Sequence, residues 1–352
     1  MSQINKPNTY FNTVLYSGTG SSNSVTGVGF QPDLVWIKER NGGAYNHNLF
    51  DVVRGVLKTI QSNNTGAEQN ATTALSSFNT DGFTLGTDIG VNENGTNFAS
   101  WNWLAGGTAV SNTDGSITSS VSANTTAGFS IVSYTGNGSN ADQTLGTGLS
   151  TALDFIIVKS RDAGSGTDNW VIYSSALNMT QNQCLLFTTD ALITGAAAGT
   201  PNRGSTAGQL KLLAGTSSNQ NLNTNSLNYI AYCFHSVKGF SKFGKYTGNG
   251  STDGTFVYTG FKPAFILVKN TQTTVNSWEI HDNKRDTFNV GTKRLYPNAS
   301  ASEGSGTYVD MLSNGFKWRS TDGGHNSANT FIYMAFAENP LTGTNGVPCT
   351  AR

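Results

Sequence analysis

Short apolar runs punctuate a chain otherwise rich in Gly, Asn, Ser and Thr. Three of these runs are alike: "DLVWIK" from Asp33, "DFIIVK" from Asp154 and "AFILVK" from Ala264, closed by Lys38, Lys159 and Lys269. Each is continuous and built from branched and aromatic residues, which predicts a strand buried on both faces. "NFASWNW" from Asn97, "NYIAYCF" from Asn228 and "TFIYMAF" from Thr330 form a second trio. In the middle one, Tyr229, Ala231 and Cys233 alternate with Ile230, Tyr232 and Phe234, a period of two with both faces apolar. Helical patterns are few. "FDVVRGVLKTIQ" (Phe50–Gln61) carries apolar residues at helical spacing, but Gly55 weakens a helix. A strand pair turning at Arg54 and Gly55 is expected instead.

The runs recur in a fixed order. "YSGTGS" at Tyr16 and "YTGNGS" at Tyr134 and Tyr246 precede the three lysine-closed runs. "NHNLFDVVRG", "DNWVIYSSAL" and "NSWEIHDNKRD" follow them. "NTDGFTL" then matches "LSNGFKW", with "GQLKLL" as the weaker second-copy equivalent. The tryptophan- and tyrosine-rich strands close each copy. Five blocks at a period of about 115 residues predict an internal threefold repeat. The expected fold is all-β, three tandem β-sandwich (jelly-roll-like) repeats of about 110–120 residues, each long enough for its own core. Boundaries are placed at residues 1–114, 115–238 and 239–340, with a tail at 341–352. Gly18, Gly20, Gly136, Gly138, Gly248 and Gly250 mark turns, and the Asn-Gly pairs among them predict hairpins.

Composition narrows the function. The 352 residues carry no net charge and only 12% charged side chains, against about 25% in an ordinary soluble domain. That is too little positive charge to neutralise a run of phosphates, so no nucleic-acid partner is expected. No run approaches the ~20 apolar residues of a membrane span, and no membrane insertion is expected. The start, "MSQINKPNTYFN", has no basic segment leading into an apolar one, so no signal peptide is expected. Cys184, Cys233 and Cys349 have neither disulfide nor zinc spacing.

Candidate chemistry is sparse. His47, His235, His281 and His325 lie outside any metal or nucleophile motif. His47 aligns with Trp170 and Trp278, where an aromatic packs. Asp51 with Arg54 and Asp282 with Arg285 occupy equivalent places. Such a pair could hold a sugar or a carboxylate, but an ion pair bracing a turn is the plainer reading. Asp33 and Asp154 open their strands. No recurring pair of acids suggests glycosidase chemistry. No catalytic residue, metal ligand or cofactor is assigned. The six tryptophans read as core, because sister copies place other apolar residues at most of their positions. Binding is expected in the copy-specific loops, at Tyr45, Asn46, His47, Asp162, Asp168, Asn202 and Arg203.

The strings "SSVSANTTAGFSIVSYTGNGS", "AYCFHSVKGFSKFGKYTGNGS", "FVYTGFKPAFILVKN", "SWEIHDNKRD" and "FIYMAFAENP" resemble a repeat module of tail-fibre-like virion proteins from phages of marine bacteria. The resemblance implies a non-enzymatic protein of the virion surface, folded in the bacterial cytoplasm. Its implied role is a tail fibre or spike component attaching to a host glycan or receptor, with other virion proteins as partners. The alternative is a capsid decoration protein, and a virion-borne polysaccharide-degrading enzyme has least support. A homotrimer suits a fibre. A monomer with internal pseudo-threefold symmetry suits a decoration.

Overall fold

In the computed structural model, strands account for 46% of the chain and helix for 3%, so the all-β class expected from the patterns holds. The structure describes residues 3–162, 169–179, 183–194, 201–203, 207–213, 222–338, 341–342 and 348–349.

Three main sheets repeat one strand order. The first pairs Phe11–Ser17, Asn97–Trp103, Leu34–Glu39 and Asn48–Asp51 in that sequence. The second pairs Phe129–Thr135, Asn228–Phe234, Phe155–Ser160 and Val171–Ser174. The third pairs Ser241–Thr247, Thr330–Ala337, Pro263–Asn270 and Glu279–Asp282. Added strands widen the first two sheets. Each main sheet has a companion of three or four strands. Asn23–Thr26, Gly82–Leu85 and Leu75–Asn79 form the first, and Gln143–Gly146, Gln209–Leu212 and Pro201–Arg203 the second. Phe256–Tyr258, Gly315–Trp318, Gly304–Leu312 and Gly291–Arg294 form the third. "GQLKLL" thus takes an inner place in its companion sheet, next to the strand that follows the glycine turn, as its sister blocks do. The 50–61 segment is the expected strand pair: Asn48–Asp51 runs antiparallel to Lys58–Gln61, with Arg54 and Gly55 in the turn.

The lysine-closed strands are central in their sheets, and this is why both faces are apolar. In the first copy, Val35 and Ile37 face the companion sheet with Val25, Phe83 and Leu85. Leu34 and Trp36 face the other way, into a core that gathers residues from all three copies. Phe11 packs on Phe265 and Phe336, Trp36 on Phe187, and Phe187 on Trp278. The three copies therefore form one body, their main sheets closing around a common centre. A small void of about 10 Å³ remains there, lined by Leu34, Trp36, Ile157, Trp170, Tyr232 and Met334 among others. Its lining is apolar, so it offers a water no partners.

Contacts between copies run cyclically. The Glu303 amide donates to the Arg40 carbonyl, the Glu68 amide to Arg161 and the Leu192 amide to Thr271. First meets third, second meets first, and third meets second, the pattern of a threefold rotation. These contacts sit at the ends of the lysine strands. Ser17 pairs with Asn97 and Glu39 with Phe98, so the turn after Ser17 lies at that same end. All three glycine turns and the described starts of the three loops that follow the lysines consequently share one end of the body.

The glycine turns themselves are not hairpins. Phe11–Ser17 belongs to a main sheet and Asn23–Thr26 to its companion, so the turn carries the chain from one layer to the other. The same holds after Thr135 and Thr247. An Asn-Gly pair supplies positive φ in either setting, which is why local sequence did not separate the two. Gly20, Gly138 and Gly250 have φ of 66°, 67° and 66°. One residue anchors each turn. Asn92 Nδ2 donates to the Ser21 carbonyl at 2.6 Å, Asn223 Nδ2 to Ser139 at 3.2 Å and Asn326 Nδ2 to Ser251 at 2.7 Å. The motif tyrosines complete the clamp: Tyr16, Tyr134 and Tyr246 donate to the carbonyls of Val91, Leu222 and His325.

Candidate functional site

The Asp-x-x-Arg pairs lie at the junctions between copies. Asp51 and Asp282 each accept two backbone amides of their own turn, and Arg54 and Arg285 each close on the carboxylate and on a strand carbonyl. All four side chains are fully buried. Tyr232 donates to Asp51 at 2.8 Å and Trp101 Nε1 to Asp282 at 3.1 Å, each from the neighbouring copy. Glu68 and Glu303 extend the braces to Arg161 and Arg40 of the adjoining copies. Burial is the largest single influence and pushes the Asp282 carboxyl up, but the Arg285 guanidinium and the hydrogen bonds from Arg285 and Trp101 together outweigh it and hold the group below its ordinary value. These pairs are braces and leave no room for a sugar.

Three of the loop candidates, Tyr45, Asn46 and Asp162, are half-buried and make internal hydrogen bonds. The Tyr45 hydroxyl donates to Glu93, Asn46 to Gln61, and Asp162 accepts from Asn228. His47 is fully buried, so it is no loop-surface group. It accepts from Trp36 at Nδ1. Burial, with Lys38 nearby, pushes its pKa well down, and the Tyr296 carbonyl opposes this only partly. His47 Nε2 makes no hydrogen bond of good geometry, whereas Trp170 and Trp278 at the equivalent positions donate to the carbonyls of Gln61 and Leu186. Asn202 and Arg203 are in a companion-sheet strand, their side chains outside what is described, and Asp168 lies outside the described residues. All six tryptophans are buried, as their alignment indicated. Asp33 holds the Ala105 and Gly107 amides, and Asp154 the Ser236 amide. Cys184 and Cys233 are buried free thiols, and burial pushes Cys184 up to about 12. The six marker glycines sit in the three interlayer turns.

One cluster was not expected from the sequence. Glu279 and His281, on the last main strand of the third copy, meet His325 from the loop before Thr330–Ala337. All three are buried, and their donor atoms lie within 4.8 Å of one another. His325 Nδ1 is 2.7 Å and His281 Nε2 3.2 Å from Glu279 Oε2. Arg294 holds the other carboxylate oxygen at 3.2 Å and Asp322 at 2.7 Å. The remaining ring nitrogens are also engaged: His281 Nδ1 with the Lys293 carbonyl at 3.2 Å, and His325 Nε2 with Ser320 Oγ at 2.6 Å. Burial raises the Glu279 carboxyl, but His325, His281 and their hydrogen bonds outweigh it and hold it well below the usual range. Burial lowers His281, opposed in part by Glu279.

Ser320, His325 and Glu279 are connected like a nucleophilic triad. The surroundings argue against that use. Ser320 Oγ also accepts the Asp322 amide, and His325 is fully buried with the Trp318 ring stacked 4.3 Å away. The sequence did hold a signal for the cluster. The strand registers put Asn48 and Val171 at the place of Glu279, and Phe50 and Tyr173 at that of His281. Ionisable residues replace core residues in one copy only.

No curated protein and no solved structure matches the chain. Residues 6–340 match the family described as Domain of unknown function (DUF7483), and by that extent the chain belongs to this family.

Proposed function

We propose that this chain is a phage virion surface protein, a non-enzymatic tail-fibre or spike-type component that attaches to a host-surface glycan or receptor. In this reading each copy is a β-sandwich module, and the three modules are fused into a single rigid carrier. The observation that carries it is the gathering of the three glycine turns and the described starts of the three post-lysine loops at one end of the body. Loops on a rigid β scaffold are where recognition usually resides. Thr19, Asn137 and Asn249 are exposed there, and Val275 in the third copy's loop is 78% exposed. The resemblance of the repeat to tail-fibre-like modules supports the same role.

The test is competition. Purified protein added to host cells should bind them and reduce phage adsorption, and exchanging the loop around Val275 should weaken both effects. Absence of cell binding together with unaltered adsorption would overturn the proposal. The cyclic arrangement of the copies favours a second reading, a decoration protein seated on a threefold position of a shell. Copy number per particle separates the two: hundreds for a shell, roughly 6–18 for an appendage on a sixfold tail.

A further inference from the structure

The cluster in the third copy poses a hydrogen-bond problem. A backbone carbonyl only accepts, so the contact between His281 Nδ1 and the Lys293 carbonyl at 3.2 Å places a proton on Nδ1. In a neutral ring, Nε2 is then a bare lone pair. It faces Glu279 Oε2, another acceptor, at 3.2 Å. Two acceptors confronting each other in a buried place are costly unless something positive lies between them. A second proton on His281 or a divalent cation between the two atoms would resolve the conflict.

The surroundings are those of a metal site. His281 donates its far N–H to a carbonyl, and His325 reaches Ser320 with its far nitrogen at 2.6 Å. Metal-bound histidines almost always engage their second nitrogen in this way. Arg294 occupies Glu279 Oε1 at 3.2 Å, which turns Oε2 towards both rings. Two imidazoles and one carboxylate are a zinc donor set that leaves a fourth position for a small exchangeable ligand. Donor atoms around one tetrahedral zinc stand about 3.3 Å apart, given bonds of about 2.0–2.1 Å. The 3.2 Å separation fits, and the 2.7 Å one would open by about 0.6 Å.

We propose that Glu279, His281 and His325 bind one divalent transition-metal ion, with zinc as the best fit, inside the third copy. The ion ties the last main strand to the loop that clamps the glycine turn, because Asn326 follows His325 directly.

The full chain, stripped with a chelator and dialysed, is titrated with Zn²⁺ and, separately, with Co²⁺. One equivalent of zinc should bind, and Tm should rise by about 4 °C at a hundredfold excess over Kd. Cobalt should give the intense visible bands of a four-coordinate site. The double variant His281→Phe and His325→Leu uses residue types found in the sister copies, Phe50 and Leu222, and should lose the stoichiometric binding and the Tm response. A folded wild-type protein that takes up no zinc at micromolar concentration would overturn the proposal, whatever the variant does. So would binding that persists undiminished in the folded double variant, since the ion would then sit elsewhere.

Discussion

The Tyr232 hydroxyl donates to Asp51 Oδ2 at 2.8 Å across the junction between the second copy and the first. Trp101 does the same for Asp282 between the first copy and the third. At the remaining junction Met334 stands in the donor's place, and Ser174 and Leu177 stand in the places of Asp and Arg. Donor, acceptor and counter-ion are absent together. A buried carboxylate that kept its charge but lost its partners would be strongly destabilising, so the three positions are expected to change as a set. Tyr232→Phe should lower stability by about 1–2 kcal/mol in urea unfolding, and Ser174→Asp alone should cost more. An Asp at position 174 without cost would contradict this account of the junctions.

Two glycines of the same turn should behave differently. A Cβ on Gly136 or Gly248 would lie 2.2 or 2.1 Å from the carbonyl oxygen of Thr224 or Ser327. Backbone must move to admit it. A Cβ on Gly250 meets nothing within 4 Å, and only the left-handed φ of 66° opposes it. Gly250→Ala is therefore expected to cost about 1 kcal/mol and Gly248→Ala several times more, read as shifts in denaturation midpoint. Equal costs would show that close approach is not what fixes the turn.

Asn223 clamps its turn with both ends of its amide, accepting from the Asn137 amide at 3.0 Å and donating to Asn137 Oδ1 at 2.9 Å. Asn223→Asp keeps the shape and the acceptor but removes the donor, leaving a carboxylate facing two oxygens. It should destabilise by about 1–3 kcal/mol, and by at least as much as Asn223→Ala. A milder effect of Asp than of Ala would mean that the donor side contributes little.

The buried Lys269 makes stability depend on pH in the alkaline range. Its ammonium reaches the carbonyls of Thr188, Thr189 and Asn276, yet burial lowers its pKa from 10.5 to about 8, with Asp190 opposing in part. Between those values the unfolded chain binds more protons than the folded one, so this group's contribution to stability rises with pH across the window and is flat below it. Wild-type stability relative to Lys269→Met should increase from pH 7.5 to pH 10, by about 3 kcal/mol at the outside. A difference that stays level or falls would show that the three carbonyls keep the ammonium charged.

Much of this architecture is legible in the sequence. The lysine-closed runs announce central strands because a strand covered on both faces leaves no polar period, and the repeated blocks announce three copies of one sheet order. What stayed hidden depends on contacts between distant segments. Thr135 and Gln143 flank a turn whose local chemistry suits a hairpin or an interlayer crossing equally well, and the choice falls to which strands pair later in the chain. Leu34 and Trp36 look like one repeat's private core, but they face the other copies. His281 and His325 are 44 positions apart and meet only because the third companion sheet folds over the main one. Aligning each copy against its sisters would have exposed them, as ionisable residues where the others are apolar.

Scanning calorimetry of the whole chain, with the isolated second copy (residues 115–238) run beside it, tests the shared core most directly. Trp36, Phe187, Phe265 and Phe336 belong to one cluster fed by all three copies, so no copy can melt without exposing its neighbours' apolar faces. The full chain should unfold in one transition whose calorimetric and van't Hoff enthalpies agree, and the isolated copy should show no cooperative transition. Separate transitions, or an isolated copy that melts cooperatively on its own at a temperature near that of the whole, would contradict the account.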